Sequence, residues 1–334
     1  MRRVDRLRQL QGWIETELHV SPLALERASA DASFRRYFRV RTPAQSLIAM
    51  DAPPEHEDCR AFVRVASLMA EAGLNVPRVI AQDLARGFLL LSDLGTAGYL
   101  QALNAQTADA LFRDAIDALL RWQLASRPGV LPPYDRALLA RELALFREWY
   151  VRCHRGIELK PGQVNALEAM FELILQNNLA QPAVYVHRDY MPRNLMVCEP
   201  NPGVLDFQDA VHGPITYDIA SLFKDAFLSW DEERILDWTA RYWEKARRAG
   251  LPVNSDFADF YRDFEWMGLQ RHLKVLGIFA RLNYRDGKSG YLEDTPRFAV
   301  YVRAVAARYR TLKPLLKLFD EIEGSTEARV SYTF

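Results

Sequence analysis

The chain has 334 residues, with 43 Lys and Arg against 43 Asp and Glu and 49% hydrophobic residues, which is long and apolar enough for two lobes with a sizeable core. A formal net charge of zero argues against nucleic acid as the main partner, because binding a phosphate backbone needs a basic surface. No long uncharged apolar run is present, so no membrane span is expected. At the N-terminus, Leu7, Leu10, Trp13, Ile14 and Leu18 fit one face of an amphipathic helix. Asp5, Arg8, Glu15 and Glu17 interrupt that stretch, so it does not read as a secretory signal. A strand-rich stretch follows, in which Phe34, Arg36, Phe38 and Val40 alternate with Arg35, Tyr37 and Arg39. Residues 46–50 read as the next strand, stopped by Asp51-Ala52-Pro53-Pro54. Phe62, Val65, Ala66, Leu68 and Met69 recur at helical spacing, and Gly73 closes that helix. Residues 76–80 and 88–92 read as a hairpin around Ala85-Arg86-Gly87.

From about Leu100 the pattern is helical: residues 104–124, 136–154, 164–178, 215–247, 256–284 and 294–319, punctuated by Pro132-Pro133 and Pro161-Gly162. The expected architecture is α+β, with a leading helix, a small antiparallel sheet and one inserted helix in residues 1–94, and a larger, mainly helical lobe in residues 95–334. Cys59, Cys153 and Cys198 are scattered, without CxxC or Cys/His zinc spacing. No structural metal is expected from them, and free thiols fit a reducing cytoplasm.

Two short segments carry the chemistry. His187-Arg188-Asp189-Tyr190-Met191-Pro192-Arg193-Asn194 follows the apolar run Ala183-Val184-Tyr185-Val186, and Asp206-Phe207-Gln208-Asp209 follows Gly203-Val204-Leu205. The order Asp, Asn, Asp, on two segments each after its own strand-like run, is what phosphoryl transfer from ATP requires. One carboxylate receives the proton of the attacking hydroxyl, while an amide and a second carboxylate hold Mg²⁺ against the phosphates. The Asp189 to Asn194 spacing is that of a kinase catalytic loop, and Asp206 stands where the metal-binding Asp of a D-F-G triplet would. His187 reads as a residue that fixes the loop rather than as a base. Arg188 and Arg193 are either solvated charges or phosphate contacts.

These residues resemble the aminoglycoside phosphotransferase and choline kinase family from the strand at Phe34 to the helices beyond Tyr217. The resemblance implies a bilobal protein-kinase-like fold with ATP in a cleft between the lobes and residues 89–95 crossing between them, so that Ser92, Asp93 and Leu94 meet the nucleotide. It implies Asp189 as catalytic base, Asn194 and Asp206 as Mg²⁺ ligands, and Asp218, within Tyr217-Asp218-Ile219-Ala220, as a prop for the catalytic loop. Longer blocks, Ser33-Phe34-Arg35-Arg36-Tyr37-Phe38-Arg39, Met50-Asp51-Ala52-Pro53-Pro54, and residues 205–211, 222–230 and 270–281, are similar to the members that phosphorylate amino sugars in cell-wall recycling. That likeness implies ATP-dependent phosphorylation of the C1 hydroxyl of N-acetylmuramate and N-acetylglucosamine.

One departure matters. Kinase-like folds hold the ATP phosphates with a glycine-rich loop, a Lys on the third strand and a Glu on the following helix. Here residues 29–33 read Ser-Ala-Asp-Ala-Ser, the third strand ends Ala49-Met50-Asp51, and Ala61-Phe62 fall about where the Glu would sit, with Glu57 near the helix start. Arg35, Arg36, the Ser33 hydroxyl or main-chain amides are the candidates to take over the phosphates; a solvated strand face is the other use for the two arginines.

Gln208 and Asp209, adjacent to a metal ligand, are candidate sugar contacts. So are Lys224 and Asp225, two turns past Asp218 on an expected helix, and Arg271 and Lys274. The stretch 270–288 carries Arg271, Lys274, Arg281, Arg285 and Lys288 against Asp286 alone. Such a basic wall suits the lactyl carboxylate of N-acetylmuramate, or is a solvated face. A kinase of cationic aminoglycosides wants an acidic or aromatic wall instead. A protein kinase needs an activation segment ending Ala-Pro-Glu, which does not follow Asp206. A nucleotide-binding scaffold without catalysis is the third alternative, motivated by the missing strand Lys.

Overall fold

The computed structural model describes residues 3–20, 24–29 and 34–324. In chain order the elements are α1 (Arg3–Leu18), β1 (Leu25–Ser29), β2 (Arg36–Arg41), β3 (Ser46–Asp51), α2 (Cys59–Glu71), β4 (Val79–Asp83), β5 (Phe88–Ser92), α3 (Tyr99–Ala102), α4 (Ala108–Leu124), α5 (Arg136–Leu145), a π-helical stretch (Phe146–His154), α6 (Pro161–Ala180), β6 (Ala183–Val186), β7 (Leu195–Met196), β8 (Gly203–Val204), β9 (Val211–Pro214), α7 (Tyr217–Phe223), α8 (Glu232–Arg248), α9 (Phe257–Tyr284), α10 (Thr295–Arg308) and α11 (Lys313–Glu323). The chain forms two compact units. One comprises Met1–Ala125 with Pro192–Ala210, and the other Ser126–Met191 with Val211–Phe334.

In the first unit, five antiparallel strands lie in the order β1-β2-β3-β5-β4. Leu10, Trp13 and Ile14 of α1 pack with Val40, Leu47, Ala49, Phe88 and Leu90 of the sheet, as the apolar face of the leading helix requires. The α2 helix starts at Asp58, whose carboxylate accepts the Arg60 N–H at 2.9 Å. It buries Cys59, Phe62, Val65, Ala66 and Met69, a stripe at helical spacing. The β2–β3 register sets Arg36 opposite Asp51. The fully buried Asp51 carboxylate accepts from Arg36 Nε at 2.9 Å, from Arg36 Nη2, and from Arg6 Nε at 2.6 Å. One anion thus sits between two cations inside the sheet lobe.

The second unit is built around α9, buried along most of its length. Two of the long helices expected from the sequence are interrupted. The stretch expected at 215–247 breaks after Phe223, because the Asp225 carboxylate accepts the N–H of Ala226 at 2.6 Å and so competes with a helical hydrogen bond. Lys224 and Asp225 therefore lie just past the end of α7 rather than two turns along it. The stretch expected at 294–319 breaks at Tyr309, which has extended backbone ahead of the Pro314 start of α11. The helix expected from Asn104 begins instead at Ala108, since the Asn104 side chain takes the N–H groups of Gln106 and Thr107 at 2.9 and 3.1 Å.

Helices α9 and α5 meet backbone to backbone at Gly277. A Cβ there would lie 2.7 Å from Leu145 Cβ and closer still to its carbonyl. Gly277→Ala is expected to destabilise the chain by about 1–3 kcal/mol through overpacking, read as a lower urea midpoint. An unchanged midpoint would mean that the two helices can move apart at no cost.

Candidate active site

The segment expected to form the catalytic loop leaves β6 in the second unit and is held by a residue of α7. Strand β6 pairs with β9 in antiparallel register, Val186 opposite Val211. Beyond the strand, the buried Asp218 carboxylate accepts the main-chain N–H of His187 at 2.7 Å and of Arg188 at 3.0 Å. Burial pushes the Asp218 carboxyl up to about 7, against the two N–H groups that favour its charged form; the Asp189 charge adds to the rise and Arg271 opposes it. Buried His187 accepts the N–H of Asp189 on Nδ1 at 3.2 Å, and its ring meets Tyr190 edge-on at 5.6 Å. Arg188 has φ +76, a conformation rare for a long side chain. That turn leaves Asp189 half-buried.

The Arg188 side chain explains what holds this backbone in place. Its Nη2 donates to Glu142 at 2.6 Å, Lys274 Nζ lies 3.0 Å from the same carboxylate oxygen, and Tyr134 donates its hydroxyl to the other. Lys274 also donates to the Tyr217 hydroxyl at 3.0 Å. Burial alone would raise the Glu142 pKa, but Lys274 and Arg188 outweigh it and hold it below the usual carboxylate value. Glu142 was not among the residues expected to matter, although Leu139, Leu143 and Phe146 around it mark its helix face as buried. Glu142→Gln keeps the volume but removes the charge that faces buried Lys274 and half-buried Arg188, so about 3 kcal/mol of stability should be lost. A depressed folded pKa contributes stability that is full above the ordinary value of 4.5 and is lost as pH falls through the folded value. The gap between wild type and variant should therefore close on acidification; a gap that stays constant with pH would show that the charge is not its source.

Among the expected sugar contacts, Lys224 is buried with Nζ 3.5 Å from Glu265, and Asp225 is buried at the helix break. Arg271 is 3% exposed. Its Nη2 faces Met191 Sδ at 3.5 Å, and its Nη1 is buried without a hydrogen-bond partner among the described residues.

The metal-ligand candidates belong to the first unit, which the chain joins again at Pro192. The β7–β8 ladder pairs Leu195 with Val204 and Met196 with Gly203. Its next hydrogen bond, Leu205 N–H to Asn194 O at 2.9 Å, sets Asn194 beside Asp206. Asn194 Nδ2 is 3.5 Å from Asp206 Oδ2, and Gln208 Nε2 donates to Asp206 Oδ1 at 2.9 Å. Asp206 has φ +61, a turn that Asp tolerates better than most residues. Asp209 is exposed. An amide oxygen and a carboxylate are hard donors, and so few of them suit Mg²⁺, which is usually held by one or two protein ligands together with phosphates and water.

Of the candidate nucleotide contacts, Asp93 accepts from Arg39 at 2.7 and 3.1 Å, from Ser46 at 2.5 Å and from the Gly95 N–H at 2.9 Å. Ser92 Oγ accepts the Arg78 N–H at 2.9 Å. Leu94 packs where a Gly203 side chain would be. Arg36 is held by Asp51. Arg35 lies with Nε 3.6 Å from Glu57 Oε2. Ser33 lies outside the described residues.

A five-stranded antiparallel sheet and a mainly helical remainder are the architecture of the kinase-like phosphotransferase class. The pattern of the APH phosphotransferase enzyme family matches residues 24–252, well over half of the chain, and the chain belongs to that family. It is 51% identical to the N-acetylmuramate/N-acetylglucosamine kinase of Pseudomonas aeruginosa, covering 97% of this chain and 98% of that one. With the kinase of the same name from Pseudomonas putida the identity is 50%, over 97% and 98% of the two chains. An ADP-bound aminoglycoside phosphotransferase shares the fold with a TM-score of 0.58 at 13% identity, covering 93% of this chain and 98% of that one. No helix among the described residues is long and apolar enough to cross a membrane.

Proposed function

We propose that the chain transfers the γ-phosphoryl group of ATP to the anomeric C1 hydroxyl of N-acetylmuramate and N-acetylglucosamine. The observation that carries this reading is the near full-length identity to two kinases that bear both sugars in their names. Asp189 accepts the proton of the attacking hydroxyl. Asn194 and Asp206 present the oxygens that hold Mg²⁺, which when bound neutralises charge on the phosphates. The protein has little covalent chemistry to perform, so rate comes from positioning.

Arg271 is the proposed partner of the lactyl carboxylate, having a guanidinium nitrogen without a hydrogen bond. Gln208 and Asp209 are proposed to meet the sugar hydroxyls. Arg35, Arg36 and residues 92–94 are the set from which the nucleotide contacts come. Cys59, Cys153 and Cys198 are free thiols, which supports a cytoplasmic location. The test is ATP consumption with each sugar, followed by NMR of the product. ADP formation with phosphorus coupled to C1 is the expected result. Phosphate on a ring hydroxyl, or no sugar-dependent ADP, would overturn the reading.

A further inference from the structure

We infer that Arg188 is a positioning residue: its side chain, clamped by Glu142, restrains the backbone torsion that aims Asp189. The inference rests on the kinase reading above and gives Arg188 a use other than solvated charge or phosphate contact.

One backbone bond is decisive. On its upstream side, the main-chain N–H groups of His187 and Arg188 are pinned to the buried Asp218 carboxylate at 2.7 and 3.0 Å. Rotation about the Arg188 N–Cα bond then moves whatever lies beyond it, namely the Arg188 side chain and the chain that continues into Asp189. Holding the far end of the side chain therefore restrains φ, and with it the direction in which Asp189 is carried. Arg188 Nη2 donates to Glu142 Oε1 at 2.6 Å, and the guanidinium lies 5.5 Å from the centre of the Tyr134 ring. The φ so held is +76, a value that an L side chain adopts only at a cost. Local preference would not choose it, so contacts must.

The clamp is itself anchored. Glu142 is buried on α5, and its carboxylate also meets Lys274 Nζ at 3.0 Å and accepts the Tyr134 hydroxyl. Tyr134 donates its main-chain N–H to the His212 carbonyl at 2.8 Å, on the strand that pairs with β6. Lys274 of α9 donates to the Tyr217 hydroxyl at 3.0 Å, one residue before Asp218. The side-chain end and the main-chain end of Arg188 are thus tied to one frame. The Asp189 N–H also reaches His187 Nδ1 at 3.2 Å, but a contact of that length restrains the rotation less. Lys274 keeps Glu142 paired when Arg188 is replaced, so Arg188 variants leave no buried carboxylate alone.

Glycine separates the hold on the backbone from any contact that the side chain makes for itself, because it takes positive φ as readily as negative. The experiment compares wild type with Arg188→Ala, Arg188→Gly, Glu142→Gln and the Arg188→Gly/Glu142→Gln double variant. It reads kcat and the KM of ATP and of sugar, at a temperature where thermal unfolding shows each protein to be folded. Arg188→Ala should lower kcat by about tenfold, the factor that the strain of one side-chain residue at positive φ amounts to. Both KM values should stay close to wild type. Arg188→Gly should regain most of the lost kcat. Neither a lost phosphate contact nor a loosened fold would give that recovery, since glycine restores no charge and no packing. Glu142→Gln should also lower kcat, and should add little in the Arg188→Gly background. Wild-type kcat in Arg188→Ala, Arg188→Gly no faster than Arg188→Ala, or a raised ATP KM with kcat retained, overturns the assignment. A Glu142→Gln loss of kcat that persists in full without Arg188 overturns the clamp. Wild-type protein that consumes no ATP beside either sugar would sink the kinase reading itself, whereas active wild type with indifferent Arg188 variants sinks only this inference.

Discussion

Asp189→Asn is expected to lower kcat by roughly 10²–10⁴, the scale of losing a positioned general base, while KM for ATP and for sugar stays close to wild type. The substitution keeps the volume and one acceptor oxygen but cannot take a proton. The main-chain hydrogen bonds of the residue, its N–H to His187 Nδ1 at 3.2 Å and its carbonyl accepting the Met191 N–H at 3.0 Å, do not involve the carboxylate. An effect confined to kcat would place the lost interaction in the transition state rather than in substrate binding. The fold should not suffer, because the Asp189 charge is one of the influences that push the Asp218 carboxyl up to about 7. Removing it eases ionisation of a group whose charged form accepts two backbone N–H bonds. Steady-state kinetics with each sugar, run beside thermal unfolding, checks both halves. Turnover equal to wild type would remove Asp189 from the role of base.

What could be read from the residues in advance was what the chain decides locally. Strands β2 and β3 follow from alternation and from the Pro53-Pro54 stop, and α1 and α2 from apolar stripes at helical spacing that the sheet then covers. Helix ends were harder, because a single side chain sets them. Asn104 and Asp225 each take a backbone N–H that a helix would otherwise use, and nothing in hydrophobic periodicity records that competition. The π-helical stretch at Phe146–His154 continues the same periodic pattern as α5 and has no separate signature.

The site divides in the same way. Asp189, Asn194 and Asp206 stand out in the sequence as candidates because the two segments that carry them each follow a short apolar run. The contact that anchors the loop beside Asp189 does not, since Glu142 reaches Arg188 across 46 residues. Charge density along the sequence also misleads. The basic stretch after Gln270 reads as a wall for an anion, yet Lys274 is joined to Glu142, while Gln270 donates to the Leu139 carbonyl at 3.0 Å. Only pairing in three dimensions shows that Lys274 is committed to a carboxylate while, among the described residues, Arg271 Nη1 is buried without a hydrogen bond.

Asp206→Asn is expected to reduce Mg²⁺-dependent turnover to background, and raising the Mg²⁺ concentration is not expected to restore it. Asn is the sharper choice over Ala, because it tolerates the φ of +61 at this position and preserves the side-chain shape. Only the charge and one acceptor oxygen are lost. Of the two Asp206 oxygens, Oδ1 accepts from Gln208 at 2.9 Å and Oδ2 faces the Asn194 amide at 3.5 Å. With Asn in place, two neutral amides remain beside each other, and a hard divalent ion has no anionic ligand among them. The backbone bond from Leu205 N–H to the Asn194 carbonyl does not use either side chain, so the β7–β8 ladder should persist and unfolding should change little. Turnover regained at high Mg²⁺ would instead mean that a neighbouring carboxylate holds the ion. Exposed Asp209, three residues further on, is then the group to substitute, and Asp206 would be reduced to orienting Gln208.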